Sequence, residues 1–594
     1  MNYTWSLDEL YKSFDSDEYK KDLEELSSAG ARMLEFTQRE FADYNNAEQK
    51  IEKYIEMTRK NAELSIRLRS YAFLRIATNS KDADAIANLG KIGRYSSELT
   101  APRISFQNYL RDYKDIDAAI NESSILKEHE FYLHEIIDAC KHQLSDKEEI
   151  LISKMKLTGS TAWSQLQGKV SSEAVVELEE NGEKITIPVT ALSQLPSTDD
   201  VEVKKNRFFA ECKAYDKYAD ISAACLNNLK GEVLTVSELR GYSSPLEMTL
   251  NECRMDKETL DALIESIEEY LPQLRRYFKI KAKLLNYPKG LPYFDVSAQV
   301  GKSNKKYTIE EAKETVLNAF RGFSEELYGF AKTAFDNKWV DFEPRAGKRS
   351  GAFCSGVYTI KESRVLTNFN GNIKDVNTLA HELGHGFHGK QLNTESVLNN
   401  SYPMPLAETA STFCEEVLKN ELLKNISNEE KLSFLSFSLL SAIQVTVDIL
   451  SRYYFETEFF ERRKDHELST NEIKEIMLDA QRKSYGDGLD DELLNPYMWL
   501  NKVHYYYAER NFYNFPYAFG LLFSLGLYSI YDEKGKAFLD DYNNLLKATG
   551  KMKIADVCKL VGVDVRTKDF WKRSLDKIVA DIDEFESLAD SYKA

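Results

Sequence analysis

The chain has 594 residues, 43% of them hydrophobic and 29% charged, and a formal net charge of −18. The length exceeds the roughly 250–300 residues at which one hydrophobic core stops growing, so at least two lobes are expected. The negative balance argues against binding to nucleic acid or anionic membrane, although a cleft can still carry its own local field.

Only 26 Gly and 12 Pro interrupt the sequence. So few breakers predict long helices and a mainly α, two-lobed fold. Seven Cys are scattered without a Cys-x-x-Cys pair, which fits reduced thiols and no thiolate metal site. The opening residues MNYTWSLDELYKSF lack a basic stretch followed by an apolar run, so no signal peptide is expected and a cytoplasmic location fits.

Residues 1–170 read as successive amphipathic helices, with Lys50–Arg69 the clearest. The pattern changes at Ala174–Val189, where apolar and polar residues alternate around Asn181-Gly182, a pair suited to a type I′ turn. A β-hairpin is expected there. A boundary near 190–200 then divides the chain into an N-terminal helical region, 1–195, ending in the hairpin, and a second domain, 196–594. Leu260, Leu263, Ile264, Ile267, Leu271, Leu274 and Phe278 keep helical spacing, with Pro272 expected to kink or restart that helix. Thr308 and Glu311 form a capping box that opens the next helix. In the Gly- and β-rich stretch 344–370, Val357–Ile360 and Arg364–Phe369 are expected to pair as a hairpin and to line a site, because they lead straight into the next motif. The apolar run Leu432–Leu450 holds four Ser, Gln444 and Asp448, so a buried core helix is expected rather than a membrane span.

Three of the eight His fall within HELGHGFH, positions 381–388. Asp375 is the expected N-cap of the helix that carries them. Residues four apart on a helix lie about 40° apart around its axis, so His381 and His385 point the same way and can grip one cation. Glu382 lies about 100° from His381, close enough to reach a water on that metal. This spacing is what metal-assisted peptide hydrolysis requires, with Glu382 moving the proton from water to the leaving amine. Two neutral imidazoles suit one catalytic Zn²⁺ with an open position. Glycines 384, 386 and 389 each cost about 1 kcal/mol in a helix, a cost best understood if another backbone approaches closely.

Glu408, near the start of a second helix 23 residues after His385, is the preferred third ligand. His388 is its rival. Three ligands on consecutive turns of one straight helix would spread over about 10 Å, too far for bonds of about 2.1 Å to one ion. A core or supporting position suits His388 better. The segment 504–520, HYYYAERNFYNFPYAFG, reads either as aromatic core or as imidazole and phenol donors aimed at the oxyanion of a tetrahedral intermediate.

Three blocks carry a family resemblance. They are HELGHGFH with the preceding GAFCSGVYTIKESRVLTNFNGN, then SYPMPLAETASTFCE, then HYYYAERNFYNFPYAFGLLFSLGLY. In this order they resemble oligoendopeptidase F and the thimet oligopeptidase-like zinc metallopeptidases, and the likeness extends weakly over the whole chain. The resemblance implies an almost all-helical, two-lobed body with a deep substrate channel, a single catalytic Zn²⁺ on His381, His385 and Glu408, and Glu382 as general base and acid. It implies that His504 and a tyrosine, Tyr517 foremost, hold substrate and the oxyanion, with Tyr506 and Tyr513 as lesser candidates. It also implies that the Gly351–Asn370 hairpin offers an edge strand to the peptide, where Gly351 and Gly356 would permit close backbone approach.

The expected activity is therefore zinc-dependent endoproteolysis of short unstructured peptides. The alternative is a metallocarboxypeptidase or dipeptide-releasing exopeptidase, which needs a cation such as Arg510 or Lys502 for the free C-terminal carboxylate. A non-catalytic metal-binding protein has no need of Glu382, and a helical-repeat scaffold is disfavoured because no repeat is present.

Overall fold

The computed structural model describes residues 3–180, 183–196, 198–301 and 305–593. Helices dominate, and local sequence explains most of their ends. The predicted Lys50–Arg69 helix lies inside Ala47–Thr78, whose buried face includes Ile51, Tyr54, Ile55 and Leu68. Thr308 accepts from the Glu311 amide, and Glu311 accepts from the Thr308 amide at 2.8 Å, the expected capping box. Ser427/Glu430 and Ser469/Glu472 repeat the device.

The helix Lys257–Leu284 continues through Pro272 and does not restart there. A proline costs about 3 kcal/mol in a helix interior. Here Leu271, Leu274, Tyr277 and Phe278 are buried and the helix packs along Lys568–Lys593, so burial offsets the loss. The Leu432–Leu450 run forms Asn428–Ile443, a π-helical turn Gln444–Asp448 and the start of Ile449–Arg463.

Five strands occur among the described residues: β1 (Val175–Glu180), β2 (Glu183–Pro188), β3 (Val340–Asp341), β4 (Phe353–Val357) and β5 (Glu362–Leu366). β1 and β2 pair antiparallel with Val175 opposite Pro188 and Glu180 opposite Glu183. The expected Asn181-Gly182 turn lies outside the described residues. The other strands form a sheet in the order β3-β5-β4, with β3 parallel and β4 antiparallel to β5. This hairpin is shifted from its predicted place. Of the predicted Val357–Ile360 only Val357 is in a strand: Tyr358–Ile360 is a 3₁₀ turn closed by Lys361 at φ 55°, and Phe353–Val357 does the pairing. The apolar alternation continues through the turn, so periodicity alone placed the strand too late.

By its internal contacts the chain divides into two units that interleave in sequence. The first is Met1–His142, Asn304–Ile426 and Ser524–Asp564; the second is Gln143–Ser303, Ser427–Phe523 and Val565–Ala594. The division expected at 195 does not separate them. The β1–β2 hairpin packs on the helix Val201–Asp216 that follows it, so the second unit continues across that point.

Candidate metal centre

Within the first unit, the helix that carries HELGH spans Ile373–Leu392. Its N-cap is Asn372 rather than Asp375: Asn372 accepts from the Asp375 amide at 3.1 Å, while the Asp375 carboxylate accepts from the amides of Asn370 (2.7 Å) and Asn372 (3.1 Å). An acidic group in the first turn also suits the helix dipole. A second helix, Thr409–Leu422, lies against it. Gly384 is where they approach: a Cβ there would stand 2.5 Å from the Ala410 carbonyl oxygen. At Gly386 a Cβ would meet the Phe330 ring at 2.8 Å, whereas at Gly389 it would meet nothing within 4 Å. Close packing therefore accounts for two of the three glycines.

Glu408 sits at the junction between the short helix Met404–Ala407 and Thr409–Leu422. Its Oε2 lies 3.4 Å from His381 Nε2 and 3.5 Å from His385 Nε2, and the three donor atoms fall within 4.8 Å of one another. For tetrahedral bonds of about 2.05 Å, donors must stand about 3.3 Å apart. Both imidazole–carboxylate separations match that demand. His381 Nδ1 meets Glu415 Oε1 at 2.5 Å, and Glu415 Oε2 accepts from Asn377 Nδ2 at 2.6 Å. The hydrogen bond holds the Nδ1 proton on His381, so Nε2 is the nitrogen that would exchange its proton for a cation. Glu415 follows Glu408 by seven residues, two turns along one helix face, a spacing that would have marked it as a supporting carboxylate.

The electrostatics point the same way. Burial opposes charging His381, but the Glu415 hydrogen bond and the Glu415, Glu408 and Glu382 charges outweigh it and lift the ring to about 9. Burial, then the nearby His381, pushes His385 down to about 4. Glu382 is 6% exposed, and burial raises its carboxyl to about 7, with Glu408 and Glu415 adding to the shift against His381. Three carboxylates thus surround two imidazoles, a donor set short of positive charge. Glu382 is no part of the three-donor cluster; its carboxyl accepts from the backbone N–H of Cys354 on β4.

A cleft of about 820 Å³ opens on these residues, and its walls include Phe353, Cys354 and Gly356 of β4, Tyr358 and Tyr402. β4 has a partner on one side only, so its other edge is unpaired in the sheet. Gly356 lines the cleft, and a Cβ there would meet nothing. Gly351 does not line it. Its φ of 79° accounts for glycine, and its carbonyl accepts from Asn368 at 2.7 Å. Arg69, on the helix Ala47–Thr78, is the only Lys or Arg among the described residues lining the cleft. His388 stands apart, fully buried, stacked on Tyr402 at 4.4 Å and bonded to Thr549 at 2.9 Å.

The tyrosine-rich segment belongs to the second unit. His504 lies between Tyr505 and Tyr513, with ring centroids at 4.5 and 5.6 Å, and the Tyr517 hydroxyl donates to that of Tyr513 at 2.9 Å. His504, Tyr513 and Tyr517 therefore form one cluster. Tyr506 does not join it. The ring is 2% exposed in the core beside Cys225 and Ser222, so the expected substrate contact has no surface to act through. Burial, reinforced by Arg452, Lys230, Lys502 and Arg510, pushes His504 down to about 3.

The helix and the donors gathered on it carry an HExxH motif, His381-Glu382-x-x-His385, and comparison supplies the family. The model of peptidase family M3 matches residues 194–577, and that of oligopeptidase F matches 112–173. The chain belongs to peptidase family M3, whose members hydrolyse peptides. It is 28% identical to oligopeptidase PepF of Bacillus subtilis over 480 residues, covering 80% of this chain and 71% of the relative. With an oligoendopeptidase F homolog of Borreliella burgdorferi it shares 26% identity over 99% of this chain and 98% of the relative. Two crystal structures share the fold. A Chlamydophila abortus chain superposes with a TM-score of 0.86 at 23% identity, over 99% of this chain and 98% of the other. Oligoendopeptidase-F from Enterococcus faecium does so with 0.69 at 20% identity, over 97% and 99%.

Proposed function

We propose that this peptidase is a zinc-dependent oligoendopeptidase that cuts internal bonds of short, unstructured peptides. The observation that carries the reading is the convergence of His381 Nε2, His385 Nε2 and Glu408 Oε2 within 4.8 Å, with Glu382 beside them but outside the donor set. Two imidazole nitrogens and one carboxylate oxygen suit Zn²⁺ and leave a position open. A cation held there supplies a Lewis acid for the scissile carbonyl and lowers the pKa of a water.

The chain's own residues do the rest. Glu415 orients His381. Glu382, steadied by the Cys354 amide, takes a proton from the attacking water and returns it to the leaving amine nitrogen. The unpaired edge of β4 receives the peptide backbone as an added strand, with Gly356 leaving room. His504 and Tyr517, with Tyr513 behind it, donate to the substrate carbonyl and its oxyanion.

Release of C-terminal residues is the second reading. Arg69 favours it: this exposed cation lines the cleft and makes no ion pair among the described residues, so it is available to a terminal carboxylate. Arg510 and Lys502 belong to the second unit. Digestion of a mixed peptide library, with and without chelator and with both ends free or blocked, tests both readings. Metal-dependent cleavage of doubly blocked peptides is expected. Cleavage confined to free C-termini would replace the endopeptidase reading, and cleavage that survives complete metal removal would end the metal-dependent one.

A further inference from the structure

The surroundings of His504 fix more than its charge. Its ring stands on the short 3₁₀ turn Val503–Tyr506, and its Nε2 lies 2.8 Å from Asn514 Nδ2. The Asn514 amide has two chemically distinct ends, and their orientation is forced by the neighbour on its other side. Arg452 Nη1 stands 3.1 Å from Asn514 Oδ1. A guanidinium has donors only, so the carbonyl end of Asn514 must face Arg452 and the NH₂ end must face His504. The imidazole nitrogen that meets that NH₂ must accept. His504 is neutral at physiological pH, so its one proton sits on Nδ1. Nδ1 has no protein acceptor among the described residues, which leaves an N–H donor for a ligand.

Arg452 is itself fixed. Its other terminal nitrogen pairs with Asp448, one helical turn earlier, at the end of the π-helical turn Gln444–Asp448, and the buried Tyr485 hydroxyl donates to Asp448 Oδ1 at 2.8 Å. Asn514 is 5% exposed and Asp448 8%. The chain Tyr485–Asp448–Arg452–Asn514–His504 therefore allows one donor direction at every link. A π-turn that re-aims a side chain is a recurrent feature near functional sites.

We propose that Asn514, oriented by Arg452 and Asp448, is a positioning residue that holds His504 as its Nδ1–H tautomer and so decides which ring nitrogen donates to bound peptide. This rests on the reading above that His504 contacts substrate. Asn514→Asp is the discriminating variant. It keeps the side chain's size and its Arg452 contact, but a carboxylate can only accept, so the proton must move to Nε2. Facing the ring are Arg452, Lys230, Lys502 and Arg510, with the Tyr505 and Tyr513 rings. The new carboxylate would sit among those cations and raise the His504 pKa toward its ordinary value.

The test uses the zinc-loaded full chain labelled with ¹⁵N-histidine, the His504 signals being identified by their loss in His504→Gln. Wild type is expected to show a bare Nε2 and a protonated Nδ1. Asn514→Asp is expected to exchange the two, and to lower kcat/KM on a doubly blocked peptide about 100-fold, the order of one lost transition-state donor, without moving the unfolding midpoint. Asn514→Leu, with no partner for the ring, should show both tautomers and intermediate turnover. A wild-type ring protonated on Nε2 would overturn the proposal. So would an Asn514→Asp ring that keeps the wild-type tautomer, or one that switches with kcat and KM unchanged. The two readings separate cleanly: the tautomer tests Asn514, whereas full activity of Glu382→Gln would sink the proposed reaction.

Discussion

His381 and His504 are the same side chain in opposite fields. Around His381 stand Glu382, Glu408 and Glu415, and the ring is lifted to about 9 despite burial. Around His504 stand Arg452, Lys230, Lys502 and Arg510, and burial and these charges together push the ring to about 3. The first environment suits exchange of a proton for a metal cation. The second keeps a neutral ring whose single N–H is a fixed donor at any physiological pH. Burial acts alike on both, so the sign of the surrounding charge decides the outcome.

The largest effect expected from the acidic centre is on turnover. Glu382→Gln should keep the metal and lower kcat about 10²–10⁴-fold, the usual contribution of a general base. Metal content by mass spectrometry beside peptide kinetics checks both halves, and loss of the metal would mean that Glu382 acts as a ligand. Next comes the supporting carboxylate. Glu415→Gln replaces a charged acceptor of the His381 proton with a neutral one and should weaken zinc about 10–100-fold in a competitive chelator titration. An unchanged affinity would reduce the acidic surroundings to a matter of packing.

A third test asks whether the two helices must meet as they do. Gly384→Ala pushes a methyl group into the Ala410 carbonyl and should destabilise the chain by about 1–3 kcal/mol. Gly389→Ala meets no neighbour and should stabilise it by up to about 1 kcal/mol. Denaturant unfolding of both variants decides, and equal effects would remove the packing argument.

The smallest effect carries the field argument away from either site. Burial, helped by Lys204 and opposed by Asp295, pushes Lys281 down from 10.5 to about 7. Between those two values the unfolded chain holds the extra proton, so this group makes unfolding harder as pH rises from 7 to 10.5. The slope is at most about 1.4 kcal/mol per pH unit. Lys281→Met should flatten that rise in unfolding free energy, and a slope identical to wild type would show that Lys281 is not desolvated.

Local signals decide the structure where few choices compete. The Thr308–Glu311 capping box, the HELGH helix and the separation of His388 from the His381/His385 pair follow from spacing along one helix. Errors arose where neighbours compete. Asn372 and Asp375 both cap helices well, and which one stands at the N-cap depends on how the chain enters the turn. The β4–β5 hairpin slipped because Tyr358 and Ile360 look like strand residues but fill a 3₁₀ turn. Gly351 is expected to allow close approach of a peptide backbone, but it does not line the cleft, and its φ of 79° already calls for glycine. Glu415 was missed although its seven-residue offset from Glu408 was in plain view.

What the sequence determined is the part of the chemistry set by short spacing: two imidazoles and a carboxylate on one helix, and a second carboxylate at the next helix start. Those positions are fixed by helix geometry before any tertiary contact forms. Only the folded chain brought Glu408 Oε2 within 3.4–3.5 Å of both imidazoles, set Glu415 behind His381 and turned Asn514 toward His504. Donor distances, proton positions and field signs are sums over residues far apart in the chain, and no local pattern encodes such sums.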